Sequence, residues 1–374
     1  MTTIARIEPL VFRVPIETPV VTSFGMMRDR PALFVRIVDT DGAEGWGEVW
    51  CNFPSVGAEH RARLIAETLA PMLVGKDWNA AADVYRHLTA KTEVLAIQSG
   101  EAGPIAQAIA GIDLALWDLF ARRAGMPLYR YLGGEPVESV PVYASGINAD
   151  APEKTAMRKQ EEGYRRFKLK VGFGRETDLR NLRALRETFA PETPIMIDAN
   201  QAWDVETAIE MAAACAAFAP SWLEEPVRAD VPIAQWKEFS RRSPIPLAAG
   251  ENIRGEAAFD EAISSMGLRF LQPDIGKWGG FTACLPLCRK AVSSGLIYCP
   301  HWLGGGIGLV ASLHLLAAVG DEGALEIDSN PNPLREIHLE QLGSLKEGGI
   351  AMPDAPGLGV QARMEEIARY RVSI

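Results

Sequence analysis

Lys168-Leu169-Lys170, Ile195-Met196-Ile197-Asp198, Trp222-Leu223-Glu224 and Leu247-Ala248-Ala249-Gly250-Glu251 follow one another in a stretch running from Tyr164 to Glu251. Three short apolar runs each end in an acid. From 198 to 224 and from 224 to 251 the steps are 26 and 27 residues. A strand with a returning helix takes roughly 25 to 30 residues, so the spacing predicts successive βα units. Parallel strands one unit apart are neighbours. The three carboxylates then stand side by side at C-terminal strand ends, where barrel enzymes keep their chemistry. Like charges that close repel unless a cation sits among them, and an all-oxygen set suits Mg²⁺ or Mn²⁺ rather than zinc. In Lys168-Leu169-Lys170 alternate side chains share a face, so both lysines point toward the acids. A parallel strand covered on both sides seldom exposes two lysines to water.

Working outward, the same period continues. Val140-Pro141-Val142-Tyr143-Ala144-Ser145 precedes the lysine strand, while Leu268–Asp274, Ile297–His301 and Ala324–Ile327 follow the acids. Eight strands near 142, 168, 197, 223, 248, 272, 299 and 326 predict a modified (β/α)7β barrel over 136–330, its last helix replaced. His301 ends one strand beside the strand that ends in Asp274. A carboxylate next to an imidazole orients it and raises its pKa, which makes a stronger base. Glu326 on the last strand completes the ring as an acid or a salt-bridge partner. Gly304-Gly305-Gly306-Ile307-Gly308 lacks dinucleotide-binding spacing and reads as a tight turn into a helix whose N–H groups can approach an anion.

Residues 1–135 read as an α+β capping domain. Ala32–Val38 and Ala43–Glu48 flank Thr40-Asp41-Gly42, a hairpin signal. Ile105, Ile109, Ile112 and Leu116 mark one face of a helix. Thr18–Arg30, with Gly25, Met26 and Met27, reads as a mobile, irregular loop. The Pro- and Gly-rich segment 331–374 is expected to return to the cap.

The chain has 374 residues, 48% of them hydrophobic, enough for a large core and two domains. Its net charge of −10 gives no basic field for nucleic acid or membrane, and any anionic substrate must be held by local charge. Cys51, Cys215, Cys284, Cys288 and Cys299 make no zinc pattern. An odd count with no signal sequence points to a reducing cytoplasm. No apolar run is read as reaching transmembrane length.

With those residues in place, the chain resembles the enolase superfamily, and within it the mandelate racemase subgroup, over nearly its whole length. Lys168-Leu169-Lys170 is similar to that family's Lys-x-Lys. Asp198-Ala199-Asn200, Glu224-Glu225-Pro226 and Gly250-Glu251-Asn252 are similar to its metal motifs, Asp274 with His301 to its dyad, and Glu326 to its electrophilic glutamate. Relatives that make muconolactones or epimerise dipeptides carry a lysine at the sixth strand in place of the dyad, so Asp274 and His301 favour the mandelate racemase type. The resemblance implies Mg²⁺ (or Mn²⁺) on Asp198, Glu224 and Glu251, and Lys168, Lys170, Asp274, His301 and Glu326 as catalytic residues. It further implies a small carboxylate substrate, a homo-oligomer between dimer and octamer, and an N-terminal loop folding over the barrel mouth.

Removing a proton next to a carboxylate leaves an enediolate with two negative oxygens, which a bound metal and Lys168 can stabilise. Lys168 is also expected to lower the pKa of Lys170. Lys170 and His301, on opposite sides of the barrel, would flank the substrate. That permits racemisation, and equally β-elimination with His301 helping hydroxide leave. The lead expectation is dehydration of a sugar acid to a 2-keto-3-deoxy acid, and the alternative a racemase or epimerase of a 2-hydroxy or amino acid. A different class is an aldolase forming a Schiff base on Lys170, or a binding barrel. Tyr143, Ser145, Asn200, Arg28 and Trp302 are the expected substrate contacts, Arg28 as a grip on a second carboxylate.

Overall fold

β-branched and aromatic residues dominate the N-terminal strands, and their pairing sets the cap. The computed structural model of the chain describes residues 1–22, 25–320 and 322–374, and of residues 18, 21 and 22 the backbone alone. Strands β1 (Thr2–Thr22) and β2 (Gly25–Asp39) run antiparallel, and β3 (Glu44–Val49) joins β2 beyond the Asp41-Gly42 turn. Asp39 Oδ1 accepts the N–H groups of Asp41 and Ala43 there, satisfying the turn. The short β4 (Asp77–Trp78) pairs with the start of β1.

The helices Ala81–Ser99 and Ala102–Arg123 cover this sheet, with Ile105, Ile109, Ile112 and Leu116 in its core. By length and composition Ala102–Arg123 could cross a membrane, which departs from the sequence reading, but 78% of its apolar window is buried within the fold. It lies between the sheet and the barrel helix Gly280–Ser293. Its two aspartates fix it there: Asp113 accepts from the Thr282 N–H and hydroxyl, and Asp118 from the N–H groups of Trp46 and Leu358.

The segment Thr18–Arg30 differs from expectation. It is the far end of a long β-hairpin, with Val20 opposite Met27, Val21 opposite Met26 and Thr22 opposite Gly25. The irregular pattern around Gly25, Met26 and Met27 reads as a loop in the sequence. In the structure the register merely slips between the Pro15–Asp29 and Val20–Met27 pairs and then resumes. Ser23 and Phe24 lie outside the described residues.

The second sheet carries the site. Its eight parallel strands are β5 (Ser139–Ile147), β6 (Phe167–Lys170), β7 (Ile195–Asp198), β8 (Leu223–Glu224), β9 (Leu247–Ala249), β10 (Phe270–Leu271), β11 (Ile297–Tyr298) and β12 (Leu325–Asp328). They pair in the order β11-β10-β9-β8-β7-β6-β5-β12, and a helix of ten residues or more follows each of the first seven. After β12 comes only the short helix Pro333–Leu339, so the architecture is (β/α)7β. The sheet curls until its two end strands face each other: the Trp302 N–H just past β11 donates to Glu326 Oε2 on β12 at 3.0 Å.

Beyond the barrel, β13 (Gly349–Ala351) pairs with β5, and β14 (Arg371–Val372) pairs with β1 at Phe12 and Val11. The cap and barrel also meet through Glu48 on β3. Its buried carboxylate accepts the N–H groups of Gly305 and Gly308, at 2.5 and 2.8 Å, at the start of the helix Gly306–Val319. The N–H groups of this glycine-rich turn are thus met by the protein's own carboxyl group, which burial pushes up to about 8.

Candidate active site

The register of the strands assembles a rim of charge. Lys170 on β6 stands opposite Asp198 on β7, and Asp198 opposite Glu224 on β8. Glu251 follows β9 through Gly250, whose φ of 154° and approach to Gln272 (an added Cβ would lie 2.5 Å from its carbonyl carbon) exclude a side chain. Past the acids the backbone turns sharply: Asn200, Gln201 and Glu225 have φ of 44°, 63° and 39°. Non-glycine residues in that region cost of order 1–3 kcal/mol each, and three of the seven among the described residues lie here at the rim.

Each of the three acids holds a lysine. Lys170 Nζ is 2.5 Å from Asp198 Oδ2, Lys168 Nζ is 2.5 Å from Glu224 Oε1, and Lys277 Nζ is 2.8 Å from Glu251 Oε2. Lys168 also reaches Glu326 Oε1 at 2.8 Å. Ser145 donates to Glu326, and both Trp222 Nε1 and Gln272 Nε2 donate to Glu224. Among the described residues no three acids or imidazoles already converge as a metal cluster; each carboxylate leans instead on its own lysine.

Burial disfavours every charge here, and the partners decide the outcome. Burial pushes the Glu224 carboxyl up to about 7, with Asp198 adding to it. Burial acts the same way on Glu251, but His301 and Lys277 override it and hold Glu251 well below the usual range. Burial, the largest influence, would lower Lys170, and Lys168 adds the depression expected from the sequence, yet Asp198 and Glu224 together outweigh them and the amine is raised. The expected net lowering of Lys170 is therefore corrected: the neighbouring acids outweigh the second lysine and burial combined.

His301 Nδ1 lies 2.7 Å from Asp274 Oδ2, and its Nε2 lies 2.8 Å from Glu251 Oε2 and 4.0 Å from Glu326 Oε2. Burial opposes its proton, but Glu251, Glu326 and the Asp274 hydrogen bond push the imidazole up to about 10. Asp274 is itself fixed by the N–H groups of Gly276 and Lys277.

These groups open into a cavity of about 290 Å³ between the barrel rim and the cap. Lys170, Glu251, His301, Glu326, Ser145 and Asn200 line it. Lys168, Asp198, Glu224 and Asp274 are buried immediately behind, joined to the lining residues by the contacts above. Three expected substrate contacts lie elsewhere. Tyr143 is fully buried two residues below Ser145, its ring 5.5 Å from Lys168 Nζ. Trp302 is buried, donating Nε1–H to the Gly305 carbonyl. Arg28 is exposed on β2 and does not line the cavity, whereas Val20 of the same hairpin does.

Sequence reasoning missed several lining residues: Trp50, Asn52, Phe53, Asn148, Lys277, Asp328 and Asn330. Asp328 is two residues past Glu326 on the same strand face, a signal available from the period of two. It binds Arg30 of the hairpin at 2.7 Å. Asn52 and Trp50 come from the cap just after β3, where no sequence pattern marks them.

Two family models match the chain: "Mandelate racemase / muconate lactonizing enzyme, N-terminal domain" over residues 6–133 and "Enolase C-terminal domain-like" over 151–367. A solved mandelate racemase/muconate lactonizing enzyme from Bordetella bronchiseptica RB50 is 52% identical, covers 99% of each chain and superposes with a TM-score of 0.93. A racemase from Streptomyces coelicolor A3(2), solved with bound magnesium, is 29% identical over 99% of this chain and 100% of that one, with a TM-score of 0.89. Among characterised relatives, the D-galactarolactone cycloisomerase of Agrobacterium fabrum is 31% identical over 96% of each chain. The L-talarate/galactarate dehydratase of Salmonella typhimurium is 33% identical over 92% of this chain and 85% of its own.

Proposed function

The chain belongs to the mandelate racemase / muconate lactonizing enzyme family of the enolase superfamily, and from that premise we propose that it removes the proton α to a carboxylate of a sugar acid and expels a β-oxygen. The product of dehydration is a 2-keto-3-deoxy acid. One observation carries the reading: Lys170 and His301 both line the cavity, from strands β6 and β11 separated by four others on one side of the sheet. Two proton-transfer groups thus flank one substrate volume. Lys170, once neutral, takes the α-proton. His301, protonated to about pH 10, gives its proton to the departing oxygen. Asp274 holds the imidazole, and Lys168 stabilises charge growing on the carboxylate, itself anchored 2.8 Å from Glu326, whose carboxyl Lys168 and His301 hold below its usual range against burial.

Asp198, Glu224 and Glu251 are the residues that would hold Mg²⁺ or Mn²⁺. They fit: all donors are oxygen, the three end successive strands, and Glu224 is raised partly by Asp198, so the acids lie near enough to repel. A bound divalent ion supplies positive charge for the enediolate oxygens. The relative solved with magnesium supports this choice.

A ring oxygen can be the leaving group as readily as hydroxide, and the cycloisomerase relative favours keeping cyclic sugar acids in view. Racemisation needs the same two groups without the expulsion. A Schiff-base aldolase would need Lys170 alone and would leave the His301–Asp274 pair without a part. The test is a screen of open-chain and lactone sugar acids with Mg²⁺, reading 2-keto acids with semicarbazide and products by NMR in D₂O. Keto-acid formation supports elimination. Deuterium uptake at Cα without keto acid replaces it with racemisation.

A further inference from the structure

Lys168 and Lys170 announce themselves in the sequence, whereas the third lysine of the rim, Lys277, lies in a turn three residues beyond Asp274. It holds Glu251 as the other two hold Glu224 and Asp198. The three lysines are unequal in what lies around them. Lys168 is fully buried and touches three carboxylates, Glu224, Glu326 and Asp198, so it has nowhere to move. Lys277 keeps 12% of its side chain exposed. It also has two further resting places: Asn252 Oδ1 at 3.2 Å and the face of Trp50, whose ring centroid is 4.5 Å from Nζ. Asn252 directly follows the acid that Lys277 would leave.

The structure points to a specific role: we propose that Lys277 is a positioning residue that occupies Glu251 in place of the metal and steps aside onto Asn252 and Trp50 when the metal arrives. This rests on the metal reading given above. The physical case has two parts. A buried carboxylate needs a counter-charge, and Glu251 has two, His301 and Lys277, each at 2.8 Å, but of these only Lys277 has a neutral acceptor and an aromatic face beside it to move to. A cation that could not leave would compete permanently with the divalent ion for the same oxygens. An ammonium on a flexible four-carbon stem, with a neutral amide acceptor and an aromatic face nearby, meets both demands. Lys170 has the same arrangement in miniature, bonding Asn200 Oδ1 at 2.8 Å as well as Asp198.

The sign of the effect separates this role from ordinary structural support. If Lys277 only propped Glu251 in place, its loss would weaken metal binding. If it competes, its loss strengthens binding. Calorimetric titration with Mg²⁺ alone, without substrate, reads the difference. The Lys277→Met protein is expected to bind Mg²⁺ roughly three- to tenfold more tightly than wild type, the range a partly exposed ion pair implies. Lys277→Arg, which keeps the charge, is expected to stay within about twofold of wild type by the same scale. Asn252→Ala, which removes a resting place, is expected to weaken Mg²⁺ binding, and to do so no longer in the Lys277→Met background. Because Asn252 also bonds both oxygens of Glu225, an Asn252 effect that persists in the double variant assigns it to Glu225 and overturns the exchange. Equal or weaker Mg²⁺ binding by a folded Lys277→Met protein overturns it too. If wild type itself binds no Mg²⁺, the metal reading falls and takes this inference with it. If only Lys277→Met is silent, the metal reading stands and the exchange alone is lost.

Discussion

The barrel interior has two storeys whose residues differ by two positions on each strand. The upper one holds Ser145, Asp198, Glu224, His301 and Glu326. Two residues earlier lie Tyr143, Met196, Trp222, Cys299 and Ala324, which with Ala248 form a closed apolar cluster. Side chains two apart share a face, so both sets point to the barrel axis. One storey is ionic and opens to the cavity; the other is an apolar layer beneath it, whose far side lines a pocket of about 180 Å³ with Arg166 and Glu322. The difference shows how the fold tolerates so dense a cluster of charge. Trp222 and Gln272 donate upward to Glu224, and Lys168, rooted at the lower level beside Tyr143, extends into the ionic layer. The side chains of the apolar layer are buried, so the electrostatic contacts above them have apolar groups on their lower side, which strengthens each contact.

The contrast can be broken first at the upper storey. Glu224→Ala removes a proposed metal oxygen and frees Lys168, and turnover on the true substrate is expected to vanish. Melting of the metal-free variant should show it folded. Activity at the wild-type level without metal would sink the metal assignment.

His301→Asn comes next, with an expected loss of about 10³-fold in elimination, the usual weight of a general acid or base. The same variant reports the charge on the imidazole. Folded, His301 keeps its proton to about pH 10, against roughly 6.5 when unfolded. A raised pKa of this kind stabilises fully below about pH 6.5, and that stability is lost as pH rises through about 10. Thermal melts of metal-free wild type and His301→Asn should therefore differ most near pH 6 and converge toward pH 10. A gap that widens with pH contradicts the protonated imidazole.

In the lower storey the expected readout changes from rate to stability. Met196→Ala should cost about 2–5 kcal/mol in denaturant melts, as buried methionine deletions do, while Mg²⁺ affinity holds. The smallest effect is expected from Tyr143→Phe. The Tyr143 hydroxyl is buried with no hydrogen-bond partner, so its removal should leave stability equal or higher. A large loss of activity there would place Tyr143 back among the substrate contacts.

This layering explains what could be read in advance. The strands and the acid series were legible because an apolar run ending in a charge, repeated at βα spacing, has few other meanings. The same period of two also misled: Ser145 and Tyr143 share a face, yet only Ser145 reaches the cavity, and height along a strand has no marker in the pattern. Lys277, Trp50 and Asn52 lie in turns, where neither period applies. The hairpin reads as a loop because the stretch around Gly25, Met26 and Met27 shows no alternation locally, while its ladder depends on residues across the strand.

Glu48 ties the cap to the barrel at the glycine turn, and β14 ties residues 371–372 back to β1. Seen as a sequence of events on the ribosome, the second tie is a deferred one. The strand made first gains its hairpin partner within a few dozen residues, but its other edge stays open until nearly the whole described chain has emerged. Contacts that distant in sequence form slowly. An unpaired β edge is a template for pairing with another chain. A nascent or C-terminally shortened chain is therefore most exposed to self-association at Val11 and Phe12, far from the residues that do the chemistry.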